Sequence, residues 1–240
     1  MENISFIVRN RIYNTEPFII HCPGMKYQIN KAGRDLLHDL ASRSLIIDDP
    51  KRIAIVTWNT EDSSFLERQC KKIDVVGRGI KQWQNGLKGP LLFEYARSCE
   101  KEFICALDAK DVVIVKNIDG IERILEERHC ECVFGAEHFS YPPDKLSKEF
   151  EEAKYRKPFC HLNSGMIIAK TKFLRECENI NEDVDEDWYF CDDQKIWKDI
   201  HISEYPRIQI DDGCCVFQNV NIPDPKSVSL HEWVILEEGS

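Results

Sequence analysis

Two carboxylates three residues apart carry the sharpest chemical signal in this chain. In CALDAKDVVIV, Asp108 closes an apolar run and Asp111 follows it, so a turn brings both side chains to one point. Paired carboxylate oxygens suit a hard divalent cation, Mn²⁺ or Mg²⁺, which keeps open positions for diphosphate oxygens and neutralises a leaving phosphate as a Lewis acid. An aspartate that only caps the following turn is the plain alternative. Three other segments offer polar groups. HLNSGMIIAK supplies Asn163, Ser164 and Gly165, small groups fit to hydrogen-bond sugar hydroxyls or to form a turn. CDDQKIW supplies Asp192, Asp193 and Gln194 at a helix start, where capping accounts for at least one carboxylate. VVGRGIKQW places Gly77, Gly79 and Trp83 after an apolar strand, where backbone can approach a ligand and an indole can stack on it.

The elements that must position these groups follow from periodicity. RIAIVTW, IDVVG, EFICALD and CECVFGAE read as strands. SSFLERQCKK, PLLFEYARSC beginning at Pro90, IDGIERILEER and the proline-opened PPDKLSKEFEEAKY read as helices between them. That alternation predicts an α/β fold with a parallel sheet and ligands at the carboxyl ends of its strands. Beyond residue 158 come a strand over HLNSGMIIAK, helices over TKFLRECENI and DDQKIWKDIH, and short strands at RIQIDD and CCVFQN. The first 50 residues hold two strands and a helix around KAGRDLLHDLASRS. Among them PFIIHCPGMKYQIN ends an apolar run in His21 before a Pro23-Gly24 break.

The whole chain has 240 residues with 42% hydrophobic content, enough for one large core. Its net charge of −10 excludes a general nucleic-acid binder, which needs a basic face. No apolar run reaches membrane-spanning length, and eleven unpaired-looking cysteines predict reduced thiols and a cytoplasmic location. The acidic run Asn181 to Trp188 reads as a solvated loop before it reads as a cation site. Zinc-type C-x-x-C spacing is absent.

In order, VTWNTED, VVGRGIKQW, FICALDAKDVVIV, FGAEHFSYP, HLNSGMIIAK, CDDQKIW and IQIDDGCCVFQN resemble the glycosyltransferase domain of the procollagen lysyl hydroxylases and related collagen glycosyltransferases. The resemblance covers roughly residues 51–221. It implies a GT-A-like fold, a UDP-sugar donor (UDP-glucose or UDP-galactose), a hydroxyl acceptor on protein or glycan, and Mn²⁺ on Asp108 and Asp111. Thr57, Gly77, Gly79 and Trp83 would lie near the nucleotide. Asn163, Ser164, Gly165, Asp192 and Asp193 would face the transferred sugar or acceptor, usually with retention of the anomer. A non-catalytic nucleotide-sugar or partner-binding domain and a metal-dependent phosphohydrolase are the other readings of the same residues.

The resemblance also implies a third metal ligand, a histidine on a strand after the segment matching CCVFQN. No such strand and turn follows here, but VRNRIYNTEPFIIHCPGMKYQIN looks like it. The expectation is a circularly permuted single domain, in which residues 1–50 are the usual last segment, 51–158 the nucleotide-binding half and 159–240 the acceptor half. His21 would then be the third ligand and Lys26 a point charge for diphosphate; His231, or no histidine, remain the alternatives. Ala109 and Lys110 depart from the family, which commonly has an aromatic residue in the second of these places.

Overall fold

The computed structural model describes residues 6–23, 31–43, 45–180, 192–220 and 234–238. A six-stranded sheet forms its centre, in the order β4 (Asp74–Val76), β3 (Ile53–Trp58), β5 (Phe103–Asp108), β8 (His161–Lys170), β7 (Cys132–Glu137) and β9 (Ile208–Ile210). β4, β3 and β5 run parallel, as does the β7–β9 pair. The sheet is mostly parallel, with one strand reversed. β8 runs antiparallel to both β5 and β7 because it inserts between them from the opposite end. Its reversal carries the first half of HLNSGMIIAK to the carboxyl ends of its neighbours.

Side chains alternate along the central strands into two buried layers. Ile104 and Ala106 of β5 face one layer with Phe134 and Trp197, while Phe103, Cys105 and Leu107 face another with Val133 and Ile168. A sheet covered on both faces explains why β3 and β5 read as nearly unbroken apolar runs. Each fully buried Leu, Ile or Phe contributes roughly 1.5–3 kcal/mol, so these layers outweigh the buried polar groups at the sheet's edge.

Helices cover the sheet: α2 (Phe65–Gln69), α3 (Lys88–Ser98), α4 (Arg123–Glu127), α5 (Lys145–Tyr155), α6 (Thr171–Ile180) and α7 (Asp193–Ser203). Several differ from the expected bounds for local reasons. α3 begins at Lys88, two residues before Pro90, because a proline in the first turn gives up an N–H that has no helical partner. α2 stops at Gln69 because Cys70 turns into an extended bridge with Ile47. Its start is a capping box between Ser64 and Glu67. α5 opens on Asp144, whose carboxylate accepts from Ser147 N at 2.8 Å, rather than on its prolines. α4 is one short turn where the sequence predicted a longer amphipathic helix.

The N-terminal segment joins the same body. β2 (Ile19–His21) lies between β10 (Phe217–Asn219), parallel to it, and β6 (Val112–Ile114), antiparallel to it. β1 (Phe6–Asn10) pairs antiparallel with β11 (Val234–Glu238), Phe6 opposite Glu238. α1 (Lys31–Arg43) then leads toward β3. Lys26, His231 and the acidic run from Asn181 to Trp188 lie outside the described residues. No helix among the described residues is long and apolar enough to cross a membrane.

Candidate active site

Three strands from distant parts of the sequence converge on one point. β5 delivers Asp108 at its carboxyl end, the turn into β6 delivers Asp111, and β2 lies beside β6 with His21 opposite Val112. His21 Nε2 is 3.5 Å from Asp111 Oδ1 and 3.8 Å from Asp108 Oδ2. One ligand atom from each of the three residues lies within 4.8 Å of the others.

The histidine's orientation is fixed from behind. Nδ1 faces Asn219 Oδ1 at 2.7 Å and Asn163 Oδ1 at 3.1 Å. Both amides are themselves oriented. Asn219 Nδ2 donates to the Ala136 carbonyl, and Asn163 Oδ1 also accepts from Gly165 N. Two acceptors at Nδ1 require the proton there, so Nε2 presents its other valence to the two carboxylates. That atom is buried and has no hydrogen-bond partner among the described residues.

A lone pair aimed at two carboxylates is repulsive unless positive charge lies between them. Burial opposes the His21 imidazolium, but Asp111 and then Asp108 outweigh it and hold its pKa above the ordinary imidazole value. Asp108 is pushed above the carboxylate range by burial despite Lys88, whereas at Asp111 the attraction of His21 overcomes burial and lowers the pKa. The pocket therefore calls for a cation at Nε2, which a proton or a divalent metal supplies.

Gly165 leaves the room that the His21 ring and the Asp108 carboxylate occupy. A Cβ built there would collide with the His21 ring and lie 2.9 Å from Asp108 Oδ2. One imidazole nitrogen and carboxylate oxygens make a donor set that fits Mn²⁺, and Mg²⁺ less closely.

Outward from this point opens a cleft of about 310 Å³, walled by Trp58, Asn59, Trp83 and Asn85 and floored by Lys88 and Asp108. A larger hollow, about 540 Å³, lies beside Asp49, Lys51 and Lys101 at the amino ends of β3 and β5. Ligands of such sheets gather at the carboxyl ends, which favours the smaller cleft. Trp83 forms one wall. Gly77, at φ +85°, packs beneath it, and an added Cβ would come within 3.0 Å of the indole. Gly79, at φ +82°, faces open space and serves the turn. Lys110 reaches Glu61 at 2.9 Å across the cleft mouth.

The sequence-selected residues divide accordingly. His21, Asp108, Asp111, Asn163 and Gly165 meet in one place. Asp193 approaches through Lys88, whose Nζ lies 2.7 Å from Asp108 Oδ1 and 3.5 Å from Asp193 Oδ2. Asp192 is the N-cap of α7, accepting from Gln194 N, so its carboxylate serves the helix. Ser164 is buried, with its N–H donating to Gln194 Oε1. Thr57 is fully buried with its hydroxyl donating to the Leu107 carbonyl, so that donor is spent inside the sheet rather than on a nucleotide.

Gln194, offered by the sequence beside Asp192 and Asp193, joins the site together with three residues the sequence did not single out: Lys88, Asn219 and Glu137, the last two lying within segments that carry the resemblance. Gln194 Nε2 donates to Glu137 Oε1 at 2.6 Å, and Asn163 Nδ2 faces Glu137 Oε2 at 3.4 Å. Burial pushes the Glu137 carboxyl up to about 7. The apolar strand ahead of Glu137, ending on an acid as the strand ahead of Asp108 does, and its place within FGAEHFSYP are the signals that point to it.

Comparison with known proteins gives the family. The family model described as the PLOD GT domain matches residues 72–232, more than half of the chain. A Caenorhabditis elegans protein described as a multifunctional procollagen lysine hydroxylase and glycosyltransferase is 27% identical over 200 residues. The alignment covers 73% of this chain and 26% of that protein, so the chain is similar to about a quarter of its relative. With its α/β sheet and its match over most of its length, the chain belongs to the PLOD glycosyltransferase-domain family.

Proposed function

We propose that this domain transfers a hexose, glucose or galactose, from a UDP-sugar to a hydroxyl acceptor on protein or glycan, using Mn²⁺ or Mg²⁺ at His21, Asp108 and Asp111. One observation carries the reading: a buried histidine nitrogen, without a hydrogen-bond partner among the described residues, faces two carboxylates at the carboxyl edge of the sheet. When bound there, the ion supplies Lewis-acid neutralisation of the diphosphate leaving group. Trp83 gives a flat wall for the base or sugar. Asp193 supplies negative charge near the reacting carbon, where an oxocarbenium-like centre develops. Asn163 and Asn219 hold the His21 ring, and Gly165 leaves room for the ring itself.

The order of the segments is part of the same proposal. We read the strand that bears His21 as the family's last segment placed first, with residues 1–50 ahead of the nucleotide-binding half. The pairing of β1 with β11 supports this, because it sets residues 6 and 238 side by side. A turn there would join the two segments in the usual order, and such reconnection is tolerated when chain ends are neighbours.

Release of UDP from UDP-glucose and UDP-galactose, with hydroxylysine-bearing collagen peptides and simple glycans as acceptors, tests the activity. Mn²⁺-dependent release that is lost in Asp108→Ala, Asp111→Ala and His21→Ala is the expected result. Binding of UDP-sugar without any release would leave a non-catalytic nucleotide-sugar module, and hydrolysis of simple phosphate esters would favour a phosphohydrolase. Failure to bind a UDP-sugar in the presence of Mn²⁺ sinks the proposal.

A further inference from the structure

Lys88 is the least explained charge in the molecule. Its side chain is 11% exposed, and it is the first residue of α3. The indole of Trp58 pins it twice, donating Nε1–H to the Lys88 carbonyl at 3.0 Å and lying 5.4 Å from the ammonium. The ammonium is therefore held where it stands rather than free to move into solvent. Asp108 divides its oxygens between two tasks: Oδ1 takes Lys88 at 2.7 Å while Oδ2 faces His21. On its other side Lys88 lies 3.5 Å from Asp193 Oδ2, an atom with no hydrogen-bond partner among the described residues.

An ammonium on one oxygen of a metal-binding carboxylate acts in two ways. It repels any divalent ion that the other oxygen binds, and in a poorly hydrated pocket that repulsion is weakly screened. It also joins the metal corner on β5 to the acidic start of α7, which no backbone pairing connects among the described residues. We infer that Lys88 is a resident counter-ion and positioning residue: it weakens divalent-cation binding at Asp108 and holds Asp193 against the same site. The inference rests on the proposed metal-dependent transfer. Its physical sense is that three carboxylates, Asp108, Asp111 and Asp193, would otherwise hold a cation too tightly and repel one another.

The two roles make opposite predictions for one substitution, which a merely structural lysine would not. In Lys88→Met, Mn²⁺ affinity measured by electron paramagnetic resonance of the free ion, without substrate, should rise about tenfold or more, because a like charge has been removed. Turnover of UDP-sugar should fall about a hundredfold in kcat, because Asp193 has lost its tie. Lys88→Arg, which keeps the charge, should leave Mn²⁺ affinity within a few-fold of wild type. If Lys88→Met does not fold, as judged by its thermal melt, Lys88→Gln must show the same gain in affinity. Unchanged or weaker Mn²⁺ binding in a folded, uncharged variant overturns the Lys88 inference alone. A wild-type protein that binds no Mn²⁺ overturns this inference and the proposed function together.

Discussion

Two buried histidine–carboxylate clusters lie at one end of β8, and they are built to opposite rules. At His161, Nδ1 meets Glu151 Oε2 at 2.8 Å, Glu151 Oε1 accepts the Leu162 N–H, and the fully buried Lys198 stands 3.6 Å from Glu151 and 3.1 Å from Ser140 Oγ. Both carboxylate oxygens and the ammonium of that cluster have partners. At His21, a β2 residue whose ring lies against Gly165 four residues further along β8, one nitrogen is doubly held and the other is left facing two acceptors. Burial of charge alone does not mark a functional site, since both clusters have it. What distinguishes them is whether the polar atoms are mutually satisfied, because a satisfied network completes itself and an unsatisfied one calls for a ligand.

The comparison can be broken most sharply at the metal corner. Asp111→Ala should lower UDP release by on the order of 10³-fold, the loss of several kcal/mol of charge neutralisation, while leaving the thermal melt nearly unchanged. Glu151→Ala should do the reverse. It strands the buried Lys198 ammonium and costs about 3–5 kcal/mol of stability, visible in a denaturant melt, with Mn²⁺ affinity preserved. A Glu151 variant that lost metal binding at full stability would erase the distinction between the clusters.

Asn219 offers an intermediate test. It is the direct β10 partner of His21, and Asn219→Leu removes an acceptor behind the ring; a fall of about 10–100-fold in Mn²⁺ affinity is expected, as for other groups that orient metal ligands. Asn219→Asp keeps the acceptor and should recover most of that loss. Calorimetric titration of Mn²⁺ into both variants decides the point.

Glu137 gives a predicted effect that is read from pH. Its carboxyl is raised by burial from 4.5 to about 7, so between those values the folded protein keeps a proton that the unfolded chain has lost. Stability then declines as pH rises through that window, by on the order of 3 kcal/mol in total. Glu137→Gln should remove this decline. Melts of both proteins at pH 4.5 and pH 7.5 check it, and parallel pH profiles would show that folding does not raise the Glu137 pKa.

Much of this was legible before any coordinates. Strand-ending Asp108 and the nearby Asp111 could be read locally because strand polarity, turn and carboxylates lie within a few residues. The α/β alternation was equally local. Asp192 and Asp193 were adjacent in sequence yet took different tasks, one capping α7 and the other facing Lys88, because a helix start sends successive side chains in different directions. The resemblance implies Thr57 near the nucleotide, and in the fold its hydroxyl turns into the β3–β5 ladder.

By itself, the sequence determined the element order, the apolar runs that must be buried and the closely spaced acidic pair at a strand end, since each depends on neighbours in the chain. Only the tertiary structure decided which histidine joins that pair, which way its ring faces and that Lys88 stands beside it. Those facts depend on β2 entering between β10 and β6, on the reversal of β8 and on the early start of α3. Segments separated by 198 residues, as His21 and Asn219 are, have no local pattern to record that they will touch.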